Sequence, residues 1–163
     1  MDHPVFYNKK TFGIYLAAWI AVTAIQVAII YFYSIDNLGL AIGDATVFNM
    51  LYASLGLAVW YPVRFTQPDK KNSINLLINH ITFLILILLI WGFLGFFILN
   101  TAIPDTEYKE FLQRSIPWRI ISGIFFYMIL VLVYYLILYY NDLHERQMKE
   151  AKLMGSLKEA ELD

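Results

Sequence analysis

Four long apolar stretches dominate this chain, and each is close to the length that a helix needs to cross a bilayer. A crossing takes about 20 mostly apolar residues, and the stretches cover residues 12–33, 44–63, 74–99 and 116–140. A soluble four-helix bundle would require a polar stripe on every helix, yet residues 81–99 carry Thr82 as their only polar side chain. The pattern therefore predicts an all-α membrane protein with four transmembrane helices.

The composition supports the same class and excludes several kinds of chemistry. Hydrophobic residues make up 60% of the chain and charged residues 15%, with a mean hydropathy of +0.58, outside the range of ordinary soluble domains. Cysteine is absent, which excludes disulfides, thiolate metal sites and cysteine nucleophiles. Lys9 and Lys10 precede the first stretch as in a signal peptide, but the stretch is too long for one, so we expect a mature helix.

The distribution of basic residues predicts the orientation in the membrane. Lys9 and Lys10 flank the first stretch, and the second connector carries Arg64, Lys70 and Lys71. The tail after residue 140 adds further basic residues. Since cytoplasmic segments are rich in Lys and Arg, both termini are expected in the cytoplasm. Three basic residues in or beside the third connector oppose this orientation: Lys109, Arg114 and Arg119.

The third connector, residues 100–115, has the pattern of a short amphipathic helix. Pro104 and Asp105 suit a helix start. The residues spaced for its apolar face are Tyr108, Phe111, Leu112 and Ser115. We expect this helix to lie along the outer membrane interface, with an ordinary solvated loop as the alternative.

Polar side chains inside the crossings need partners because lipid cannot hydrogen-bond to them. Gln26 and Asn49 fall in the outer third of the membrane, and Trp118 and Arg119 open the fourth crossing on the same side. Guanidinium groups suit carboxylate or phosphate ligands, so these four residues form a candidate ligand-sensing site. The alternative is structural: Gln and Asn tie helices together for about 0.6 kcal/mol per hydrogen bond, and a Trp-Arg pair anchors a helix at the interface.

Asn79 and His80 form a second polar layer, in the inner third of the third crossing. A haem site within the bundle would need a second intramembrane His, and His3 and His144 lie in segments expected to be exposed to water. We therefore expect His80 to hydrogen-bond to a neighbouring helix. No metal or cofactor is expected in this chain.

The sequence carries no recognisable catalytic motif. It contains neither a phosphate-binding glycine-rich loop nor the zinc-binding His-Glu-x-x-His run. Asp44 lies at the outer mouth of the second crossing, where we expect it to cap the helix. Without a carboxylate well inside a crossing, a proton-coupled transporter is disfavoured.

Small residues predict that the first two crossings pack against each other. They recur with helical spacing along one side of each helix, which allows close approach in lipid. They are Ala17, Ala21, Ala24 and Ala28 in the first crossing, with Ser54 and Ala58 in the second.

From residue 141 the composition changes to a charged segment without proline, so the fourth crossing can continue into the cytoplasm as one helix. The chain divides accordingly into a membrane domain, residues 1–140, and a linker helix, residues 141–163. Leu153, Leu157 and Ala160 follow the spacing of a coiled-coil seam, which predicts a homodimer. The seam is too short for an independent coil, so we interpret the helix as a connector to a further domain.

The run LKEAELD at residues 157–163, after KEAKL at 149–153, resembles the segment that enters the dimerisation helix of LytS-type sensor histidine kinases. In that family a near-identical stretch leads to a phospho-acceptor His in an Asn-Pro-His-Phe motif and then to an ATP-binding domain. The resemblance implies ATP and Mg²⁺ as cofactors of that kinase domain alone, and a response regulator with a LytTR DNA-binding domain as its partner. No residue of this chain is assigned a kinase role, and the chain itself is not expected to bind nucleic acid.

These observations predict the sensor and transmission part of a two-component sensor histidine kinase in the bacterial cytoplasmic membrane. A stimulus would move the fourth helix, and the linker would pass the displacement to a dimeric kinase core. Two alternatives stay open. One is a small transporter or channel subunit with a water-accessible path past Gln26 and Asn49, and the other is a non-enzymatic scaffold whose tail binds a partner coiled coil.

Overall fold

The computed structural model describes residues 3–7, 9–65 and 73–162, and the chain is all-α within these ranges. Four segments among them are long and apolar enough to cross a membrane: α1, α2 together with α3, α4, and α6. The predicted fold class is confirmed, while Lys70 and Lys71 lie outside the described residues. The elements are α1 (Lys9–Tyr33), α2 (Leu38–Ala58), α3 (Trp60–Phe65), α4 (Ser73–Ala102), α5 (Thr106–Arg114) and α6 (Ile116–Leu162).

The second crossing begins before the predicted start at residue 44 and is interrupted near its end. The Asn37 side chain accepts a hydrogen bond from the backbone N–H of Leu40 (3.2 Å) and caps α2. α2 ends at Ala58 because Pro62 has no N–H to donate to the Ala58 carbonyl, and its ring would collide with that carbonyl. The short helix α3 completes the crossing.

α2 is the central helix of the bundle and packs against α1, α3, α4 and α6. The buried Tyr52 donates a hydrogen bond to the Gly123 carbonyl of α6 (2.5 Å). The indole of Trp91 in α4 donates to the Phe48 carbonyl (2.8 Å), and the rings of Tyr52 and Trp91 meet edge to face at 5.0 Å. Aromatic side chains with polar ends therefore tie α4 and α6 to the backbone of α2.

The predicted packing of α1 against α2 is confirmed, but the alanine row does not form the interface. All four alanines of that row are exposed. The contact face of α1 carries larger side chains instead: the Tyr15 hydroxyl donates to the Ala53 carbonyl (2.6 Å), and the Trp19 ring lies 5.8 Å from the Tyr52 ring. Because Tyr15 and Trp19 lie one turn apart and occupy this face, the alanines stay exposed, and Ala24 lines an open groove beside α2.

Gly95 lets α4 approach the Phe48 ring closely. A Cβ at Gly95 would overlap that ring, whereas a Cβ at Gly92 would meet no packed atom within 4 Å. We expect Gly95→Ala to lower the free energy of unfolding by about 1–3 kcal/mol, because overpacking forces side chains off their rotamers. Gly92→Ala is the matched control and should leave it unchanged or raise it slightly. Unfolding in mixed detergent micelles measures both, and equal losses would contradict this packing.

α6 is one unbroken helix of 47 residues, about 70 Å long at 1.5 Å per residue. The hydrocarbon core of a bilayer is about 30 Å thick, so the helix is much longer than one crossing. Its side chains are exposed throughout residues 139–157. The predicted helical continuation of the fourth crossing into the tail is confirmed.

The N-terminal segment packs on the bundle. His3 is half-buried, with its Nε2 2.9 Å from the Leu57 carbonyl, and its ring meets the rings of Trp60 and Tyr134 edge-on. The expectation that His3 is exposed to water is therefore wrong, because a carbonyl near the α2–α3 break and aromatic rings of α3 and α6 provide its partners. His144 is exposed, as expected.

Candidate functional site

A buried ion pair joins α2 to the first turn of α6. The Asp44 side chain is 0% exposed and the Arg119 side chain 8%. Arg119 Nη2 donates to both carboxylate oxygens, Oδ2 at 2.7 Å and Oδ1 at 3.0 Å. Ionisable residues inside membrane-spanning helices are rare and mark functional positions, so this pair is the first candidate site in the bundle.

Three neighbours hold the pair in one geometry. The Tyr108 hydroxyl of α5 donates to Asp44 Oδ2 (2.6 Å), and Arg119 Nε donates to Ser115 Oγ (2.8 Å). The guanidinium also lies over the Phe48 ring at 3.8 Å, a cation–π contact worth about 2 kcal/mol when it is desolvated. These five residues are called the ion-pair site below.

Two buried atoms in and beside this site lack a hydrogen-bond partner within the described part of the chain. They are Arg119 Nη1 and Asn49 Oδ1. A buried polar atom without a partner costs about 1–3 kcal/mol, which is why such atoms are rare in native proteins.

Tyr108 reaches Asp44 because the third connector folds as predicted. Asp105 accepts a hydrogen bond from the Tyr108 N–H (2.7 Å) and caps α5, and Tyr108 and Leu112, one turn apart, are buried against the bundle. Burial raises the pKa of the Tyr108 hydroxyl well above its ordinary value, and the Asp44 carboxylate raises it further against a smaller opposing effect of Arg119. The hydroxyl therefore stays protonated near neutral pH, as its hydrogen bond to Asp44 requires.

The prediction that Asp44 caps α2 is wrong. Asn37 caps the helix, and Asp44 lies in its second turn, where it contacts α5 and α6. Because the residues after Asn37 are mostly apolar, α2 begins at Leu38 rather than at Asp44. Asp44 therefore lies inside the bundle. The sequence argument that no carboxylate is buried in a crossing therefore fails, and with it one reason to disfavour a transporter.

The four predicted sensing residues fall into two groups. Gln26 Oε1 accepts a hydrogen bond from Asn49 Nδ2 (2.8 Å) between α1 and α2, which is the structural role considered as the alternative. Gln26, Trp118 and Arg119 line one cavity of about 350 Å³ between α1, α5 and α6. Asn49 lines instead a groove between α1 and α2. The cavity, rather than the four residues as one set, is the candidate ligand site.

His80 hydrogen-bonds to α6, as predicted. Its Nδ1 is 2.9 Å from the Tyr127 hydroxyl and its Nε2 is 3.0 Å from the Tyr135 hydroxyl, so in the neutral ring one nitrogen donates and the other accepts. Asn79 is exposed, because adjacent residues on a helix point about 100° apart. The inner polar layer therefore consists of His80 with two tyrosines, and Asn79 faces away from it.

The predicted seam residues lie on the projecting part of α6. Leu153 is 63% exposed and Leu157 64%. Ala160 belongs to the same helix, and its side chain lies outside what the structure describes. Glu145 and Lys149 form the predicted pair one turn apart (3.9 Å), which adds about 0.3–0.5 kcal/mol to the helix.

The fold and the ion-pair site together define a multi-pass α-helical membrane protein whose last helix starts at a buried charge pair. No family model, curated protein or solved structure matches this chain. A narrower function is therefore inferred from the contacts of its own residues.

Sequence reasoning identifies Arg119 but misses the residues that hold it. Asp44 is assigned to a helix end, and Tyr108 only to an apolar helix face. One signal for the pair is present in the sequence: Asp44 is the only acidic residue within the four apolar stretches, and Arg119 is their only Lys or Arg. A lone acidic and a lone basic residue in membrane-spanning helices generally pair with each other. The presence of one of each therefore predicts the contact between Asp44 and Arg119.

Proposed function

We propose that this chain is the membrane sensor and signal-transmission region of a two-component sensor histidine kinase. The observation that carries the proposal is the unbroken α6, which starts at the ion-pair site and continues as an exposed helix far beyond one membrane crossing. Residues 157–162 of the LKEAELD run that resembles LytS-type kinases lie at the far end of this helix. One stiff element therefore connects a buried polar site to the segment that resembles a kinase linker.

The contacts of α6 provide a way to transmit a stimulus. The ion pair fixes its start against α2, and further along the Tyr134 hydroxyl donates to the Gly56 carbonyl of α2 (3.1 Å). A stimulus that gives Arg119 a new partner weakens its ion pair with Asp44 and so loosens the contact between the start of α6 and α2. A ligand shifts the helix only if it binds two positions of α6 with different affinity, and a new partner for Arg119 supplies that difference.

The proposed working unit is a homodimer in the bacterial cytoplasmic membrane, with both termini in the cytoplasm. Four crossings place both ends at one face, and the contacts of His3 with the end of α2 and with Tyr134 support this arrangement. The kinase core, with ATP and Mg²⁺ as its cofactors, belongs to the proposed parent protein, and a LytTR-type response regulator is the proposed partner of that core.

A transporter or channel subunit is the second candidate, and the buried Asp44 favours it, since intramembrane carboxylates line proton and ion paths. Against it, the carboxylate is held by Arg119 and by the Tyr108 hydroxyl, so its oxygens are engaged inside the protein. Proton or solute flux in proteoliposomes separates the candidates: flux that Asp44→Asn abolishes would favour the transporter.

The proposed kinase function is tested on the natural gene product. We expect the coding sequence to continue past residue 163 into an Asn-Pro-His motif and an ATP-binding domain. We expect the full-length protein, in lipid nanodiscs with Mg²⁺ and labelled ATP, to acquire acid-labile phosphate on that His, and the variant with Gln in place of the acceptor His to acquire none. A stop codon after residue 163, or no phosphate on the full-length protein, would contradict the proposal and leave the scaffold.

A further inference from the structure

A cavity of about 350 Å³ opens between α1, α5 and the start of α6. Part of its wall is apolar and comes from isoleucines of α1 and a phenylalanine of α5. Ligand sites generally combine an apolar wall with a few convergent polar groups. The remaining lining residues are Gln26, Ser34, Arg114, Ser115, Trp118 and Arg119.

The charged residues that line this cavity are both arginines, and within the described part of the chain no carboxylate lines it. Asp44 binds Arg119 Nη2 without being part of the lining. Glu110 contacts Arg114 at 3.2 Å, but this pair is exposed, with 81% of the Arg114 side chain accessible. Solvent weakens such a pair, so the charge of Arg114 stays available to an anion in the cavity.

Arg119 presents a donor to which no described residue binds. Its Nη2 and Nε are bonded to Asp44 and Ser115, while its buried Nη1 has no acceptor within the described ranges. These bonds and the Phe48 ring hold the guanidinium in place beside the cavity, so little ordering of this side chain is needed when an anion binds. Anionic oxygens are the acceptors that bind guanidinium groups most strongly.

The cavity lies at the ends of two crossings. Ser115 directly precedes α6, and Trp118 and Arg119 lie in its first turn. Ser34, on the opposite wall, directly follows α1. The ends of membrane-spanning helices lie near the lipid head groups, so the cavity is expected at that level.

We propose that this cavity binds a phosphate group, carried either by a lipid head group or by a soluble phosphate compound, through Arg114 and Arg119. Phosphate fits better than a carboxylate because it has more oxygens to accept hydrogen bonds from the two arginines that line the cavity. The inference assigns a ligand class to the sensing site, and in that respect it rests on the proposed function.

The test is a titration of the full chain in dodecyl maltoside micelles, which contain no phosphate, followed by tryptophan fluorescence. Dioctanoyl phosphatidate and inorganic phosphate are added separately, and we expect a saturable change with at least one of them. Trp118→Phe should remove the change, because Trp118 lines the cavity. Arg114→Gln should raise the apparent Kd about tenfold or more, because a charge-assisted hydrogen bond is lost. Lys109→Gln also removes one positive charge from α5, but Lys109 does not line the cavity. It should therefore raise the apparent Kd less than about twofold.

Saturation by phosphatidate alone would identify a lipid head group, and saturation by inorganic phosphate would identify a soluble compound; both results support the site. No saturable response to either probe would overturn it, and so would equal weakening by Arg114→Gln and Lys109→Gln. The titration involves neither ATP nor a kinase core. Failure of binding therefore leaves the kinase proposal to its own phosphorylation test, and failure of that test leaves the binding result intact.

Discussion

Replacing Asp44 with Leu while Arg119 stays in place is expected to lower the free energy of unfolding by about 3–5 kcal/mol, because a buried charge is then left without its partner. The Asp44 carboxylate is fully buried, and three hydrogen bonds end on it from Arg119 and Tyr108. Unfolding in mixed micelles, followed by tryptophan fluorescence, measures the loss. The neighbouring ring contact of Trp91 with Phe48 reports on this part of the bundle.

A double-variant cycle separates pairing from packing. Asp44→Leu combined with Arg119→Met removes both charges, and we expect it to cost less than Asp44→Leu alone, because no unpaired charge remains. Arg114→Gln is the matched control: it breaks the exposed pair with Glu110 (3.2 Å) and should cost less than about 1 kcal/mol. If the losses of the two single variants simply add in the double variant, the ion pair does not stabilise the bundle.

The four crossings and the connector helix are predictable from sequence because each depends on a repeated pattern. A long run such as residues 81–99 leaves few alternatives to a membrane helix. α5 combines a capping residue, Asp105, with apolar residues at helical spacing, and the structure has both features. A helix predicted from such a pattern remains correct even when the predicted position of its end is wrong by a few residues.

The ion pair could not be placed in the same way because it depends on a precise helix start. If α2 began at residue 44, Asp44 would lie at the end of the helix, near head groups and water. Since Asn37 caps α2 instead, Asp44 lies in the second turn and meets the start of α6. Moving the start of α2 by less than two turns therefore changes Asp44 from a helix cap into a buried carboxylate.

The two neighbouring polar residues of α4 show the limit of depth counting. Counting places Asn79 and His80 at the same level of the membrane, but it does not give the face on which each lies. His80 meets the tyrosines of α6, while Asn79 is exposed. The angular position of a residue depends on how α4 packs against α6, which a uniformly apolar sequence leaves undetermined.

The second large effect is expected in the linker. Inserting one Ala after Glu145 in the full-length parent should raise or lower autophosphorylation about tenfold. A change of that size corresponds to a shift of about 1.4 kcal/mol between the active and the inactive state of the kinase. One added residue rotates everything beyond it by about 100° and moves it by about 1.5 Å. The helix around the insertion is exposed on all sides, so the bundle can keep its packing while the seam residues Leu153 and Leu157 turn relative to it.

An insertion of seven residues returns the seam close to its original face, because seven residues make about two turns. We therefore expect insertions of one and two residues to change the output and an insertion of seven to restore it. Arg146→Gln is the control: it breaks the exposed pair with Asp142 (2.9 Å) without changing the phase of the helix, and should leave the output unchanged. Output that ignores every insertion would show that the phase of α6 carries no signal. An output that falls steadily with insertion length would indicate that distance from the membrane, rather than rotation, sets kinase activity.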